Sequence, residues 1–313
     1  MESGLILFIK PRGVTSFDAL RDIKRALGTG KVGHTGTLDK FAGGLLLVLT
    51  GNALKLSRWF SHCDKKYRGR ICFGKETDTL DPEGKETAKA CLPSRDDVEK
   101  ALSQFKGEIL QEPPVFSAIH VNGKRASSLA RSGNAPEMKK RKVTIYKLEL
   151  TLWEPPFAEI FAHCSSGTYI RSLARDIALA ANSRGYLTEL LRTDVAGFSQ
   201  DKNNTKAQSY GEHTEPDENE TTGENNFKVL PVNKEIISKL GLPWIDVPQK
   251  EAKDIIHGKP LENIFNYKDI DAVSSNNYAN PDIMEQSLAL FYNETLTAII
   301  EKQNGKWKYG CVM

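Results

Sequence analysis

Residues 143–153, VTIYKLELTLW, alternate β-branched or aliphatic side chains with polar ones, the pattern of a strand with one buried face. A second alternating segment follows, with Ala158, Ile160, Ala162 and Cys164 on one side and Pro155-Pro156 joining the two. The pair predicts a hairpin-like or sheet-edge pairing, so this chain has to be built around a sheet. LILFI (5–9) reads as a short buried strand and YRGRICF (67–73) as another, while LLLVL (45–49) fits a strand or a short helix. Ser16 is the predicted N-cap of a helix over 17–27, with Phe17, Leu20, Ile23 and Leu27 on its apolar face. Ser94 and Asp97 form a capping-box-like start before Val98, Leu102 and Phe105. A further helix is predicted near Ile170, with Leu173, Ile177 and Ala181 in register. The resulting class is α+β, a sheet with flanking helices.

At 313 residues the chain has room for about two domains. No run approaches the roughly 18 apolar residues of a membrane-spanning helix. The apolar patch Leu5 to Ile9 lacks the basic flank and length of a signal peptide. Five scattered cysteines with no C-x-x-C pair suggest neither a disulfide framework nor a zinc site, and a cytoplasmic location is expected. The net charge of +3 hides a split: residues 1–200 carry 31 Lys+Arg against 22 Asp+Glu, and residues 201–313 carry 12 against 18. Every arginine lies at or before Arg192, which points the first part towards a polyanion. The run Lys139, Lys140, Arg141 and Lys142, read as part of a loop, is a candidate phosphate-binding cluster, the alternative being a solvated face with no partner. Residues 201–226, with seven acidic and two basic residues, are predicted to be a poorly ordered insert. A first domain over 1–235 and a second over 240–313 are expected, the latter with a hairpin turn at Asn304-Gly305.

The loop GKVGHTGTLDKFAGGLL (30–46) places one His and one Asp among glycines, between apolar elements. It is not a phosphate loop, because His34 stands where the Walker pattern requires Lys. His34 and Asp39 alone fall short of a metal ligand set. Asp39 could serve as nucleophile or base, although an isolated Asp in such a loop is more often an Asx-turn or helix cap.

Four segments together resemble the TruB family of RNA pseudouridine synthases: KPRGVTS (10–16), GHTGTLD (33–39), KYRGR (66–70) and CSSGTYIRSL (164–173). TDTLDPEG (77–84) and LLRTDVAGF (190–198) support them. Lys40 stands where the family usually has Pro, and Ala42-Gly43-Gly44 where it has Ala-Thr-Gly. The resemblance implies a pseudouridine synthase fold, a mixed, mainly antiparallel sheet with a central RNA cleft, followed by a small PUA-like β-domain. It implies isomerisation of uridine to pseudouridine in the T arm of tRNA, at position 55, by base flipping and without a cofactor or metal. Asp39 is the implied nucleophile, attacking the uracil ring or the ribose. Arg171 is implied to pair with it, and Tyr169 to sit against the flipped nucleotide as a candidate for proton transfer. Tyr67 would stack on the base, His34 would help fill the space it leaves, and Leu191 would line its pocket. Lys10 and Pro11 would brace the catalytic loop, and Lys139, Lys140, Arg141 and Lys142 would contact the RNA backbone. Tyr169 and Arg171, two apart, are expected to reach one face from an extended segment. The expected partner is tRNA, bound by a monomer with no membrane attachment and no obligate protein partner. The alternative is a non-catalytic RNA-binding or tRNA-folding protein that keeps the pocket.

Overall fold

The computed structural model describes residues 2–199, 208–209, 227–265 and 287–313. The first apolar run forms β1 (Gly4–Lys10), followed by α1 (Ser16–Ala26), the short β2 (Val32–His34) and β3 (Gly43–Thr50). Next come β4 (Lys65–Phe73), α2 (Arg95–Gln104) and β5 (Gly107–Gln111). The long β6 (Arg141–Glu154), β7 (Phe157–Cys164), α3 (Ile170–Ala180) and β8 (Gly185–Val195) complete the first sheet's main elements. The order across the sheet is β1, β3, β8, β4, β7, β6, β5, with β2 also on β3. Neighbours run antiparallel except β3 beside β8, and Gln208–Ser209 beside β1. Apart from that pair, the predicted insert 201–226 lies outside the described residues.

The alternating runs behave as their pattern requires. β6 and β7 pair directly across Pro155-Pro156, Glu154 against Phe157. Ala158, Ile160, Ala162 and Cys164 point into a core shared with Val98, Ala101 and Leu102 of α2 and with Leu173 and Ile177 of α3. The capping box at Ser94 and Asp97 is present. The run 45–49 is a strand buried on both faces: Leu45, Leu47 and Leu49 enter one cluster, Leu46 and Val48 another against α1. An all-apolar run of that length has no periodicity of its own, and two-sided burial is what makes it a strand.

Two expectations for α1 are corrected. Its N-cap is Thr15, whose hydroxyl accepts from the Asp18 amide at 3.1 Å, and the helix begins at Ser16. Phe17 is 71% exposed, and the buried face is carried by Ala19, Leu20 and Ile23. With the cap one residue earlier, the Ser16 hydroxyl is free for the contact described below.

One glycine of the loop is required by how the strands pack. Gly44 has φ +105°, and a Cβ there would lie 2.3 Å from the Arg192 carbonyl oxygen. At that point β3 and β8 touch backbone to backbone, Gly44 opposite Arg192. Gly44→Ala is expected to cost about 3 kcal/mol or more, read from urea denaturation, because it combines backbone strain with a clash.

A second, four-stranded sheet follows α4 (Lys234–Lys239): β9 (Trp244–Asp246), then α5 (Gln249–Ile256), β10 (Ser287–Tyr292), β11 (Thr295–Gln303) and β12 (Lys306–Val312). The predicted turn holds Asn304 and Gly305 at φ 51° and 76°, and Gln303 pairs with Lys306. Ala289, Phe291 and Ile299 share an apolar cluster with Leu45, Leu47, Trp59 and Phe60 of the first sheet's region. Arg58 adds an ion pair to Glu301 at 2.8 Å. No helix among the described residues is long and apolar enough to cross a membrane.

Candidate active site

Arg171 lies in the first turn of α3, and its side chain is 5% exposed, whereas that of Asp39 is 39% exposed. Its Nε donates to Asp39 Oδ2 at 2.9 Å and its Nη2 to Asp39 Oδ1 at 3.1 Å. The same guanidinium donates to the Thr79 carbonyl at 2.7 Å and the Phe116 carbonyl at 3.0 Å, and lies 3.4 Å from Asp81 Oδ2. One fork thus ties together four segments far apart in sequence, and it holds the carboxylate through two parallel charge-assisted bonds. The Asp39 side chain is therefore neither an Asx-turn nor a helix cap: its oxygens take the guanidinium and leave their remaining lone pairs for the cleft.

Asp81 was missed by the sequence reading, although it sits inside the supporting segment 77–84. It is buried, accepts from the Thr79 hydroxyl at 2.5 Å and from the Glu83 amide at 3.0 Å, and gives Arg171 a second carboxylate. Burial pushes its carboxyl up from the ordinary range, and the Thr79 bond and Arg171 oppose that shift.

The backbone around Asp39 is braced by the segment 10–16. The Ser16 hydroxyl donates to the Leu38 carbonyl and accepts from the Leu38 amide, both at 2.9 Å. The Gly13 amide donates to the Lys40 carbonyl at 2.8 Å. Lys10 is buried, and its ammonium donates to the Pro11 and Val14 carbonyls at 2.9 and 2.6 Å, closing the turn that presents Gly13 and Ser16. Burial lowers the Lys10 pKa to about 8; Asp39 opposes the shift and Arg192 adds to it. Between that value and the ordinary 10.5, the unfolded chain keeps a proton that the folded chain has released, so the Lys10 contribution to stability rises with pH. Urea midpoints of the unsubstituted chain and of Lys10→Met should therefore separate across that window, the difference moving in favour of the unsubstituted chain as pH rises.

The carboxylate faces a cleft of about 370 Å³ whose walls include Lys65, Tyr67, Tyr169, Leu190 and Arg192. Tyr67, on β4, is 7% exposed, and burial pushes its phenol up to about 12, so it is neutral at physiological pH. Tyr169 caps α3, and the Gln111 side chain holds its backbone: the Tyr169 amide donates to Oε1 at 2.8 Å and Nε2 donates to the Tyr169 carbonyl at 3.1 Å. Burial raises the Tyr169 phenol pKa, and nearby Arg141 is the strongest influence against that rise.

Several placements differ from expectation. Arg171 is helical, so Tyr169 and Arg171 converge through the start of α3 and the Gln111 clamp, not through an extended segment. Leu191 does not line the cleft; Leu190 and Arg192 do, because successive strand residues face opposite sides. His34 is half-buried in β2 opposite Val48, one residue behind Thr35 and Gly36, which form the wall. Lys139, Lys140, Arg141 and Lys142 are exposed as expected, but Arg141 and Lys142 open β6 and pair with Gln111 and Leu110.

The same fold occurs in solved structures. A Cbf5–Nop10–Gar1 complex matches with TM-score 0.63 and 20% identity, over 99% of this chain and 82% of that one. An H/ACA RNP bound to a substrate RNA containing 2′-deoxyuridine matches with TM-score 0.60 and 19% identity, over 96% of this chain and 78% of that one. The mixed sheet with its cleft defines a pseudouridine synthase fold. The family model for the TruB family pseudouridylate synthase N-terminal domain matches residues 24–170. The tRNA pseudouridine synthase B of Borreliella burgdorferi is 46% identical over 201 residues, 63% of this chain and 71% of the relative. That of Caldanaerobacter subterraneus subsp. tengcongensis is 37% identical over 266 residues, 84% of this chain and 87% of the relative. The chain belongs to the TruB family of pseudouridylate synthases.

Proposed function

We propose that the chain isomerises uridine to pseudouridine in tRNA, at T-arm position 55, with the target nucleotide flipped into the cleft and attacked by Asp39. The observation that carries this reading is the bidentate pair of a buried Arg171 with the more exposed Asp39, a negative charge fixed at the wall of a base-sized cleft. A protein that only bound RNA would gain nothing from a carboxylate facing phosphates.

The reaction needs no net electron transfer. The N1–C1′ bond breaks, the uracil turns, a C5–C1′ bond forms, and the C5 proton is released as N1 gains one. Asp39 supplies the nucleophile, at the uracil ring or at the ribose. Tyr67 offers a ring face for stacking, and the neutral Tyr169 phenol can relay a proton, giving up its own hydrogen as it takes one. Extraction of the base from folded RNA requires backbone contacts, which the exposed Lys139, Lys140 and Arg141 supply from the strand end beside Tyr169. The second sheet, within the segment 240–313, serves as a PUA-like unit on the acceptor end of tRNA, and the chain works as a monomer.

The test uses a tRNA transcript tritiated at uridine C5. The chain should release one equivalent of tritium from the T-arm uridine, and a transcript with cytidine at position 55 should lose that release. RNA binding with no release would instead favour the non-catalytic alternative.

A further inference from the structure

Arg192 is a buried cation that the chemistry above does not use. It is 2% exposed and sits on β8 directly opposite Tyr67 of β4 in the antiparallel ladder. Side chains of directly opposed residues project to the same face, about 5 Å apart at Cβ. Both line the cleft with Asp39. Its Nε donates to the Leu45 carbonyl at 2.8 Å and its Nη2 to the Gly36 carbonyl at 3.1 Å, three residues before Asp39. The guanidinium also acts on the Tyr67 phenol, favouring its ionised form against the burial that raises its pKa. Gly44 lets β3 close on the Arg192 backbone, so the base of this side chain is held as firmly as its tip.

We propose that Arg192 is a positioning residue for the uridine reaction, joining the Tyr67 phenol to the backbone that leads into Asp39, so that the stacking surface and the nucleophile keep one fixed separation. The proposal rests on the function assigned above. A flipped uracil has to meet a ring on one side and a carboxylate on the other, and these come from β4 and from the loop before β3. Among the described residues, the Arg192 fork bonds the Gly36 and Leu45 carbonyls on either side of that loop, and Arg192 stands directly opposite Tyr67. A lysine there would keep the charge but could not hold both carbonyls from one planar fork beside Tyr67.

A double-mutant cycle tests this, with single-turnover tritium release as the readout. Tyr67→Phe removes only the hydroxyl and is expected to slow turnover about tenfold; Arg192→Lys should slow it about a hundredfold, with KM within about twofold. If the two act through one contact, the double variant should be within about threefold of Arg192→Lys alone. Effects that multiply, to about a thousandfold, would overturn the proposal, as would a KM rise that accounts for the loss. Thermal midpoints of all four proteins separate positioning from unfolding. Should Arg192→Lys fail to fold, Arg192→Gln, which keeps an amide donor for the strand carbonyls, runs the same cycle with the same two outcomes. No release from the unsubstituted chain would remove the proposed function itself; normal release with multiplying variants would remove only the role of Arg192.

Discussion

Asp39→Asn is expected to lower tritium release by about four orders of magnitude while leaving tRNA affinity within about twofold. The amide has the shape of the carboxylate, and its oxygen can still accept one bond from Arg171, so the cleft keeps its form. It lacks the charge and the nucleophilic oxygen, and no other carboxylate can replace it: Asp81, the nearest alternative on the same guanidinium, is 6% exposed and occupied by Thr79 and Glu83. Affinity should hold because the exposed cations proposed to meet phosphates, Lys139, Lys140 and Arg141, are untouched. Filter binding beside single-turnover kinetics checks both halves; release persisting near the unsubstituted rate would take Asp39 out of its role.

The second large effect falls on Arg171. Arg171→Lys is expected to reduce turnover at least about a thousandfold and to lower stability by about 3–5 kcal/mol. An ammonium has three donors on one atom. It cannot bind both Asp39 oxygens in parallel and also reach the carbonyls of Thr79 and Phe116, all of which the guanidinium now satisfies. Two partly buried carbonyls and the Asp81 carboxylate would lose partners, which is where the stability cost arises. Asp39→Asn leaves those bonds in place and should cost much less. Comparing the urea midpoints of the two variants therefore separates loss of the Asp39 charge from loss of the node that holds the site together.

The elements that were legible in advance are those whose partners lie nearby in sequence. The strands at 143–153 and 158–164, the capping box at Ser94 and the turn at Asn304-Gly305 each follow from a local period or a local bond. The family's motifs named Asp39, Tyr67, Tyr169 and Arg171, which the fold brings to one cleft. Errors came where a single residue step matters. Leu191 faces away while Leu190 and Arg192 line the cleft, since one step along a strand reverses the side chain. Thr15 took the cap assigned to Ser16, which freed Ser16 to grip Leu38 across 22 residues.

By itself, the amino-acid order determined a sheet of alternating strands, a glycine-rich loop with one carboxylate, and an arginine-rich first part. These depend on side-chain period and composition, which are properties of neighbouring residues. Only the tertiary structure decided that Asp39 meets an arginine 132 positions away, that Asp81 and two carbonyls share that arginine, and that Arg192 stands opposite Tyr67. Strand order and register set those meetings, and the burial of both sheet faces selects register, a sum over many distant contacts that no local pattern carries.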